Sequence, residues 1–243
     1  MIAKTNNTLM QQMLADVPGS QACFERIAVK PGPWPEQLAE LTDCAFFPDD
    51  CLISLTPDLG ASPQVSGVVL GHRSLWFSNG SNPSLLQARV IVGGYVYRVN
   101  WSLLRHDTQR YAPWFFLGAA ASQCLISQMA QMAFCARHHA LVPRLASWLL
   151  ACMHQSIQPS MPISLNDIPE AFRVNNDGFE EAWAELQARQ AIRSDTVLLP
   201  VSGKTNAPDM AWTMEPVPLT RLACTCHHHI NAAASSTSQD VGR

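Results

Sequence analysis

The chain has 243 residues, of which 47% are hydrophobic and 14% charged, and its formal net charge is −3. This length suits one large domain or two modest ones, and the acidic balance excludes an overall basic surface for nucleic acid. The N-terminus has no apolar signal segment, the longest apolar run is too short to span a bilayer, and the eight cysteines are scattered. These features predict a soluble cytoplasmic protein with reduced thiols and no membrane partner.

The first hundred residues predict one short helix followed by β-structure. Residues 7 to 16 have a helical pattern that ends at the turn "VPGS". The segment "CAFFPDDCLISLTPD" holds two strand-like runs around Pro48-Asp49-Asp50, and "VSGVVLG" and "SLLQARVIVGGYVYRV" add further β-branched runs. Short strands separated by turns in this way indicate a small β-barrel or β-sandwich.

Between Leu103 and His139 the pattern becomes helical. An apolar row with small residues recurs at spacings of three and four, namely Trp114, Gly118, Ala121, Leu125, Gln128 and Met132. Such a long helix needs a large apolar partner. A second copy of the helix is the favoured partner, and the chain's own β domain is the alternative. A further helix, "VPRLASWLLACMHQ", follows with Pro143 in its first turn.

The C-terminal third predicts two short helices, a hairpin and a tail. The first helix begins at Ser164, and "FRVNN" forms a tight turn before the second, "VNNDGFEEAWAEL". Asp177 is predicted to cap that second helix, with Glu180 reaching back. Its apolar face consists of Phe179, Ala182, Trp183 and Leu186.

The segment "TVLLPVSGKTNAPDMAWTM" is predicted to be a β-hairpin, and residues 231 to 243 are predicted to be disordered. Helix, turn, helix and hairpin in this order predict a winged helix-turn-helix. In that motif the second helix enters the DNA major groove.

Several segments, in order, resemble the Crp/Fnr family of transcription regulators. "NTLMQQMLADVP" resembles the family's opening helix, and "CAFFPDDCLISL" its Tyr-Phe-Pro-x-x-Gly-x-x-Ser-Leu strand pair. "QMAQMAFCARHHALVPRLASWLLACMH" is the most specific likeness, to Gln-x-x-Gln-x-Ala-x-Cys-Asn-x-x-His followed by Arg-Leu-Ala-x-Trp-Leu-Leu. "AELQARQAI" resembles the end of the recognition helix, and "LTRLACTCHH" resembles a C-terminus that ends Ala-Cys-x-Cys.

The resemblance implies an α+β fold with a cyclic-nucleotide-binding-like β-barrel (a double-stranded β-helix, or jelly roll), a long dimerisation helix and a C-terminal winged helix-turn-helix. The expected domains are residues 1–107 for the barrel, 108–140 for the dimerisation helix, 141–230 for the winged helix-turn-helix and 231–243 for the tail. The implied function is DNA-binding transcriptional regulation by a homodimer that contacts DNA and RNA polymerase. No enzyme motif is present, and no cofactor is expected.

The ligand-binding part departs from the family pattern. The segment "GHRSLWFSNGSNP" keeps Gly71 and Arg73 but lacks the glutamate and the ordered phosphate cassette. Arg73 is the candidate ligand-binding residue, since arginine favours contacts with anions, but a surface arginine without a ligand is the favoured interpretation. The sequence therefore predicts a signal other than cAMP. Cys23, Cys44 and Cys51 are too far apart for the family's iron–sulfur array.

The DNA-reading part departs further, because asparagines and glutamates replace basic and hydroxyl residues. Pro169 also lies inside the first helix, which it should kink or shorten. Residues 160 to 200 contain three basic and seven acidic residues, a local charge of −4, which weakens the attraction to phosphate. The alternative function is therefore a diverged member that has lost DNA binding and acts through a protein partner or small ligand. The predicted DNA-contacting residues are Arg173, Asn175, Asn176, Gly178, Arg189 and Arg193.

A third hypothesis concerns metal binding at the C-terminus. Cys224, Cys226 and the histidines at 227 to 229 place five ligand-type residues within six positions. Ligands this close together can rarely all reach one tetrahedral ion, so the family-like ending is favoured and no metal ligand is predicted. His138 and His139 are interpreted as structural residues at a helix junction.

Overall fold

The computed structural model describes residues 5–41, 43–57, 66–78, 86–158, 160–161, 163, 168, 172, 176–195, 211–214 and 216–224. The chain opens with helix α1 (Thr8–Asp16), which confirms the predicted first helix. The Asn7 side chain caps α1 by accepting a hydrogen bond of 2.9 Å from the Met10 N–H. Within the described part of the chain, no helix combines the length and apolar character needed to cross a bilayer.

Two four-stranded antiparallel sheets follow, in the orders β1-β8-β3-β6 and β2-β7-β4-β5. The runs predicted on either side of Pro48-Asp49-Asp50 are confirmed as β3 and β4. A short helix α2 (Glu36–Ala39) lies between β2 and β3. The strands are β1 (Phe24–Val29), β2 (Gly32–Pro33), β3 (Cys44–Pro48), β4 (Leu52–Pro57), β5 (Val68–Leu70), β6 (Trp76–Ser78), β7 (Leu86–Val92) and β8 (Gly94–Asn100).

The two sheets share one apolar core. Residues of both sheets, among them Phe46, Ile53, Trp76 and Val90, belong to a single buried cluster. Trp34 packs against Phe46 and Trp76, with ring centroids 5.3 Å and 5.0 Å away. The sheets therefore pack face to face through aromatic side chains, as two-sheet architectures do. Closure of the sheets into a barrel stays a prediction.

Helices cover the outer faces of both sheets. After the one-turn helix α3 (Trp101–Leu104) comes the long helix α4 (Ala112–His138), then α5 (Leu141–Gln155). The start of α4 and helix α1 pack on the first sheet, and the Trp114 Nε1–H donates a 2.7 Å hydrogen bond to the Met13 carbonyl. Helix α5 packs on the second sheet, with Trp148 and Leu149 in the same cluster as Val69 and Ile91.

The predicted apolar row of α4 lies against the chain's own sheets. Trp114 is fully buried, and a Cβ added to Gly118 would lie 3.0 Å from Phe77 and 3.1 Å from Trp101. Leu125 and Met132 pack on the core between the sheets. In this structure the row packs against the chain's own β domain, the alternative partner, and pairing with a second copy of the helix stays a prediction. Small residues recur here because the helix approaches the sheets closely.

The C-terminal part consists of β9 (Ser160–Met161), α6 (Asn176–Ala188), β10 (Ile192–Asp195), β11 (Ala211–Met214) and α7 (Pro216–Leu222). The three strands form an antiparallel sheet in the order β10-β11-β9. Helices α5, α6 and α7 share one core with it. Three antiparallel sheets and largely separate helices give an α+β fold, as predicted.

Helix α6 differs from the prediction at its beginning. The described helix begins at Asn176, so Asp177 is its second residue and does not occupy the N-cap position that precedes a helix. Its end is a Schellman motif, in which Gln190 has a φ of +56°. The Ala191 N–H donates to the Leu186 carbonyl, and the Gln190 N–H donates to that of Gln187, each at 2.9 Å. This tight ending lets β10 begin at Ile192, before the predicted hairpin.

Several predictions fall on parts of the chain outside the described residues. They are the helix predicted from Ser164 with its Pro169, the turn around Arg173 and Asn175, the loop of the hairpin and the tail from 231. Ile168 and Phe172, which fall within or beside that first helix, are described and are fully buried in the C-terminal core.

Candidate functional site

Helix α6 presents an acidic outer face. Phe179, Ala182, Trp183 and Leu186 are buried in the core shared with α5, which confirms the predicted apolar face. The remaining positions point outward because a helix repeats every 3.6 residues. Exposed Glu180 and Glu181 lie on this outer face, and the helix contains no lysine or arginine.

The nearest basic residue along the chain is paired with an acid. Arg189 Nη2 lies 2.6 Å from Glu185 Oε1, an ion pair one helical turn long between two partly exposed side chains. Such surface pairs add only about 0.3–0.5 kcal/mol to stability. The pair nevertheless places a carboxylate beside Arg189, one of the predicted DNA-contacting residues, so the positive charge available there is reduced.

The other predicted DNA-contacting residues surround this helix. Asn176 begins α6, Gly178 is half-buried in its first turn, and Arg193 is exposed on β10. Arg173 and Asn175 lie outside the described residues. The structure therefore brings Asn176 and Gly178 to one end of α6 and Arg189 and Arg193 beyond the other. Their contact with DNA stays a prediction.

Arg73 lies where the second sheet meets helix α5. The Arg73 side chain is exposed, and its Nε lies 3.2 Å from His72 Nε2. The main-chain N–H of Arg73 donates to Gln155 Oε1 at 3.3 Å. Gly71 precedes His72 and packs closely against the end of α5, since a Cβ added to Gly71 would lie 2.1 Å from the Gln155 carbonyl oxygen. An anion bound to Arg73 would therefore lie at the junction between the second sheet and α5, and it would not contact the aromatic core between the sheets. Its role in ligand binding stays a prediction.

The face of α4 opposite its buried row is exposed. Phe116 is 77% exposed, Ile126 67% and Phe134 51%, which is unusual for such large apolar side chains. A second row with alternating spacings of three and four is exposed throughout, namely Phe116, Ala119, Gln123, Ile126, Ala130, Ala133 and Arg137. The sequence does not distinguish this row, because the helix carries apolar and small residues on nearly every side.

A cysteine–histidine cluster lies where the long helix meets the end of the described chain. Cys135 is in the last turn of α4, His139 follows the helix end, and Cys224 lies two residues beyond α7. The two Sγ atoms are 3.6 Å apart, and the ligand atoms of all three residues lie within 4.8 Å of one another. Both thiols are buried, and His139 is half-buried.

Side chains of helix α5 contact this cluster. Ser147 Oγ lies 3.2 Å from Cys224 Sγ, accepts the Cys224 N–H at 3.0 Å and donates to the Pro143 carbonyl at 2.9 Å. Arg144, 8% exposed, is near both sulfur atoms. Burial lowers the pKa of Arg144, and the Coulomb interaction with Cys135 and Cys224 opposes this. The cluster therefore has a fixed sulfur position and a positive charge beside it.

The sequence pattern does not join these three residues. Cys224 stands in the sequence beside Cys226 and three histidines, and His139 is predicted to be structural. Cys135 and His139 are four residues apart and face the same side of a helix end, which is the one local signal for such a pair. Cys226 and the histidines at 227 to 229 lie outside the described residues.

The chain has the fold of the Crp/Fnr family of transcriptional regulators, as the resemblance implied. Three solved structures carry this conclusion. A transcriptional regulator of that family from Eubacterium rectale matches with a TM-score of 0.53 and 11% identity, over 89% of this chain and 94% of that chain. A CRP-family regulator from Thermus thermophilus matches with a TM-score of 0.53 and 12% identity, over 82% and 96%.

The third is a mutant of CooA from Carboxydothermus hydrogenoformans, with a TM-score of 0.50 and 6% identity over 92% of this chain and 98% of that chain. No protein-family model matches the sequence, and no curated protein matches it. At these identities the likeness concerns the fold.

Proposed function

We propose that the chain is a Crp/Fnr-type transcriptional regulator that works as a cytoplasmic homodimer, binds DNA through a winged helix-turn-helix around α6 and is not an enzyme. The observation that carries this proposal is the fold match over more than four-fifths of the chain to regulators of that family. The signal is unidentified and differs from cAMP, and RNA polymerase is the proposed partner at promoters.

The proposed dimer surface is the exposed row of α4. A helix of 27 residues is about 40 Å long, which gives the row enough length for an extended contact. Alternating spacings of three and four are those of paired helices, and the alanines in the row allow close approach. The partner is a second copy of this chain, because two such rows related by a two-fold axis cover each other.

The dimer is tested by replacing Ile126 with glutamate and measuring the sedimentation of the purified protein. We expect the variant to sediment as a monomer, since the substitution places a charge in the middle of the row. Ile157→Glu is the matched control, because Ile157 is also an exposed isoleucine but lies outside α4. A wild-type protein that is monomeric at micromolar concentration would refute the proposed surface.

The proposed DNA affinity is low at physiological salt. Glu180 and Glu181 face outward from α6, and each acidic group near phosphate reduces the binding that counterion release provides. Wild-type protein should therefore bind a random duplex only at low salt. The double variant Glu180→Gln and Glu181→Gln should bind more tightly, and it should do so at every salt concentration.

Fluorescence anisotropy with a labelled duplex measures both effects. The matched control replaces Glu36 and Glu40, an exposed acidic pair on and beside α2, by glutamine and should leave the affinity unchanged. A folded dimer that shows no binding at micromolar concentration and low salt, with or without the α6 substitutions, would overturn DNA binding. The alternative, a diverged regulator that acts through a protein partner or small ligand, would then replace it.

A further inference from the structure

We propose that Cys135, His139 and Cys224 form a site for a zinc-type metal ion. The site ties the end of the long helix α4 to the segment that follows α7. The proposal does not depend on DNA binding, because it concerns residues that are remote in sequence from the outer face of α6.

The distances fit one tetrahedral ion. Zinc–sulfur bonds of about 2.3 Å at a tetrahedral angle place two ligand sulfurs about 3.8 Å apart. Cys135 Sγ and Cys224 Sγ are 3.6 Å apart, and the nearest ring nitrogen of His139 lies within 4.8 Å of both. A disulfide requires the sulfurs to approach to about 2.05 Å, so the observed separation is closer to that of a shared metal.

The ligand types select the kind of ion. Two thiolates and an imidazole are soft and borderline donors that favour zinc over magnesium or calcium, which prefer oxygen. Three protein ligands leave a fourth position for water or a further group. Because the two sulfur atoms are buried, an ion bound to them would be largely shielded from solvent.

Two residues of α5 position the ligands. Ser147 Oγ accepts the Cys224 N–H at 3.0 Å and lies 3.2 Å from the Cys224 sulfur, so it holds Cys224 in place. Arg144 places a buried positive charge near both sulfurs, where it attracts anionic thiolate. Partners of this kind orient metal ligands and tune their affinity.

A metal ion at this site would link two parts of the fold. Cys135 belongs to α4, whose exposed row is the proposed dimer surface, whereas Cys224 follows α7, which packs with α5 and α6 in the C-terminal core. A bound ion would therefore join α4 to the C-terminal unit through three bonds. Its loss would remove that link while leaving the two sheets intact.

The experiment uses reduced, metal-free full-length protein titrated with Co²⁺, which gives a sulfur-to-cobalt absorption when thiolates bind it. Zn²⁺ is then added as a competitor. We expect one Co²⁺ per chain, displaced by Zn²⁺ but not by Mg²⁺, and a higher melting temperature in the presence of Zn²⁺. Cys135→Ser and Cys224→Ser should each lose the tight site and its sulfur absorption.

Two further variants cover the case in which a cysteine variant misfolds. His139→Ala changes a half-buried ligand and should weaken Co²⁺ binding while keeping the absorption of two thiolates. Ser147→Ala is a positioning variant and should weaken binding by roughly ten- to hundredfold. Cys124→Ser is the control, since Cys124 is a half-buried thiol on α4 away from the cluster, and it should bind Co²⁺ like the wild type.

The histidine-rich ending needs its own variant, in which Cys226 becomes serine and the histidines at 227 to 229 become alanine. We expect this protein to keep the tight site. If Co²⁺ binding persists in the Cys135, His139 and Cys224 variants and disappears with the altered ending, the proposed site is wrong. Failure of the reduced wild type to bind Co²⁺ would also overturn it, and a peptide map that shows Cys135 linked to Cys224 after air oxidation would then identify a disulfide-forming pair.

Discussion

Replacing Gly71 by alanine should destabilise the junction between the second sheet and α5. The added Cβ would lie 2.1 Å from the carbonyl oxygen of Gln155 and 2.8 Å from its carbonyl carbon, and these are backbone atoms that cannot rotate away. A normal contact requires about 3.5 Å, so the end of α5 must move by more than about 1 Å.

That movement breaks hydrogen bonds that meet at one residue. The His72 N–H donates to the Gln155 carbonyl at 3.1 Å, and His72 Nδ1 lies 2.8 Å from the same oxygen. Ser74 Oγ donates to Gln155 Oε1 at 3.1 Å. Overpacking costs about 1–3 kcal/mol, and each lost hydrogen bond about 0.5–1.5 kcal/mol. We therefore expect a loss of about 2–4 kcal/mol in the free energy of unfolding.

Urea unfolding followed by tryptophan fluorescence measures this loss, and a second variant tests its cause. Gln155→Ala removes the side-chain acceptor but keeps the main-chain carbonyl, so it should not rescue Gly71→Ala. A double variant as stable as Gln155→Ala alone would show that the clash is with side-chain atoms beyond Cβ, which alanine lacks, and would refute the backbone clash. A loss below about 1 kcal/mol for Gly71→Ala would equally refute the reasoning.

Three other substitutions have expected outcomes. Trp114→Phe should lower the free energy of unfolding by about 0.5–1.5 kcal/mol, because it removes the 2.7 Å hydrogen bond to the Met13 carbonyl, which keeps the Val17 N–H as a donor at 3.1 Å; urea unfolding compares the two proteins. Gln190→Gly should raise the melting temperature, by relieving a left-handed residue at a gain of about 0.5–1 kcal/mol, whereas Gln190→Ala should not. Burial raises the pKa of Cys51 from 9.0 to about 12, so the folded state keeps a proton that the unfolded state releases. This contribution to the free energy of unfolding is complete below pH 9 and is lost between pH 9 and about 12, at up to about 1.4 kcal/mol per pH unit. The midpoint of urea unfolding should therefore fall with rising pH in this range, and it should fall less steeply in Cys51→Ala.

The sequence predicted the elements whose patterns are local. "CAFFPDDCLISLTP" became β3 and β4 because two apolar runs flank a turn that contains proline and aspartates. The buried face of α6 followed from residues spaced by three and four. Helix boundaries were predicted less well, since the described α6 includes Asp177, the predicted cap, as its second residue. There, alternative caps differ by only a fraction of a kcal/mol to about 1 kcal/mol.

The sequence by itself determined the order of sheets, long helix and C-terminal helix, because strand and helix periods are properties of neighbouring residues. Only the tertiary structure decided which face of α4 is covered, since that helix has apolar and small residues on both faces and the first sheet selects one of them. Only the tertiary structure brought Cys135 and Cys224 together. Such a contact depends on how α5 and α7 pack, and that packing is the sum of many long-range interactions that no local pattern records.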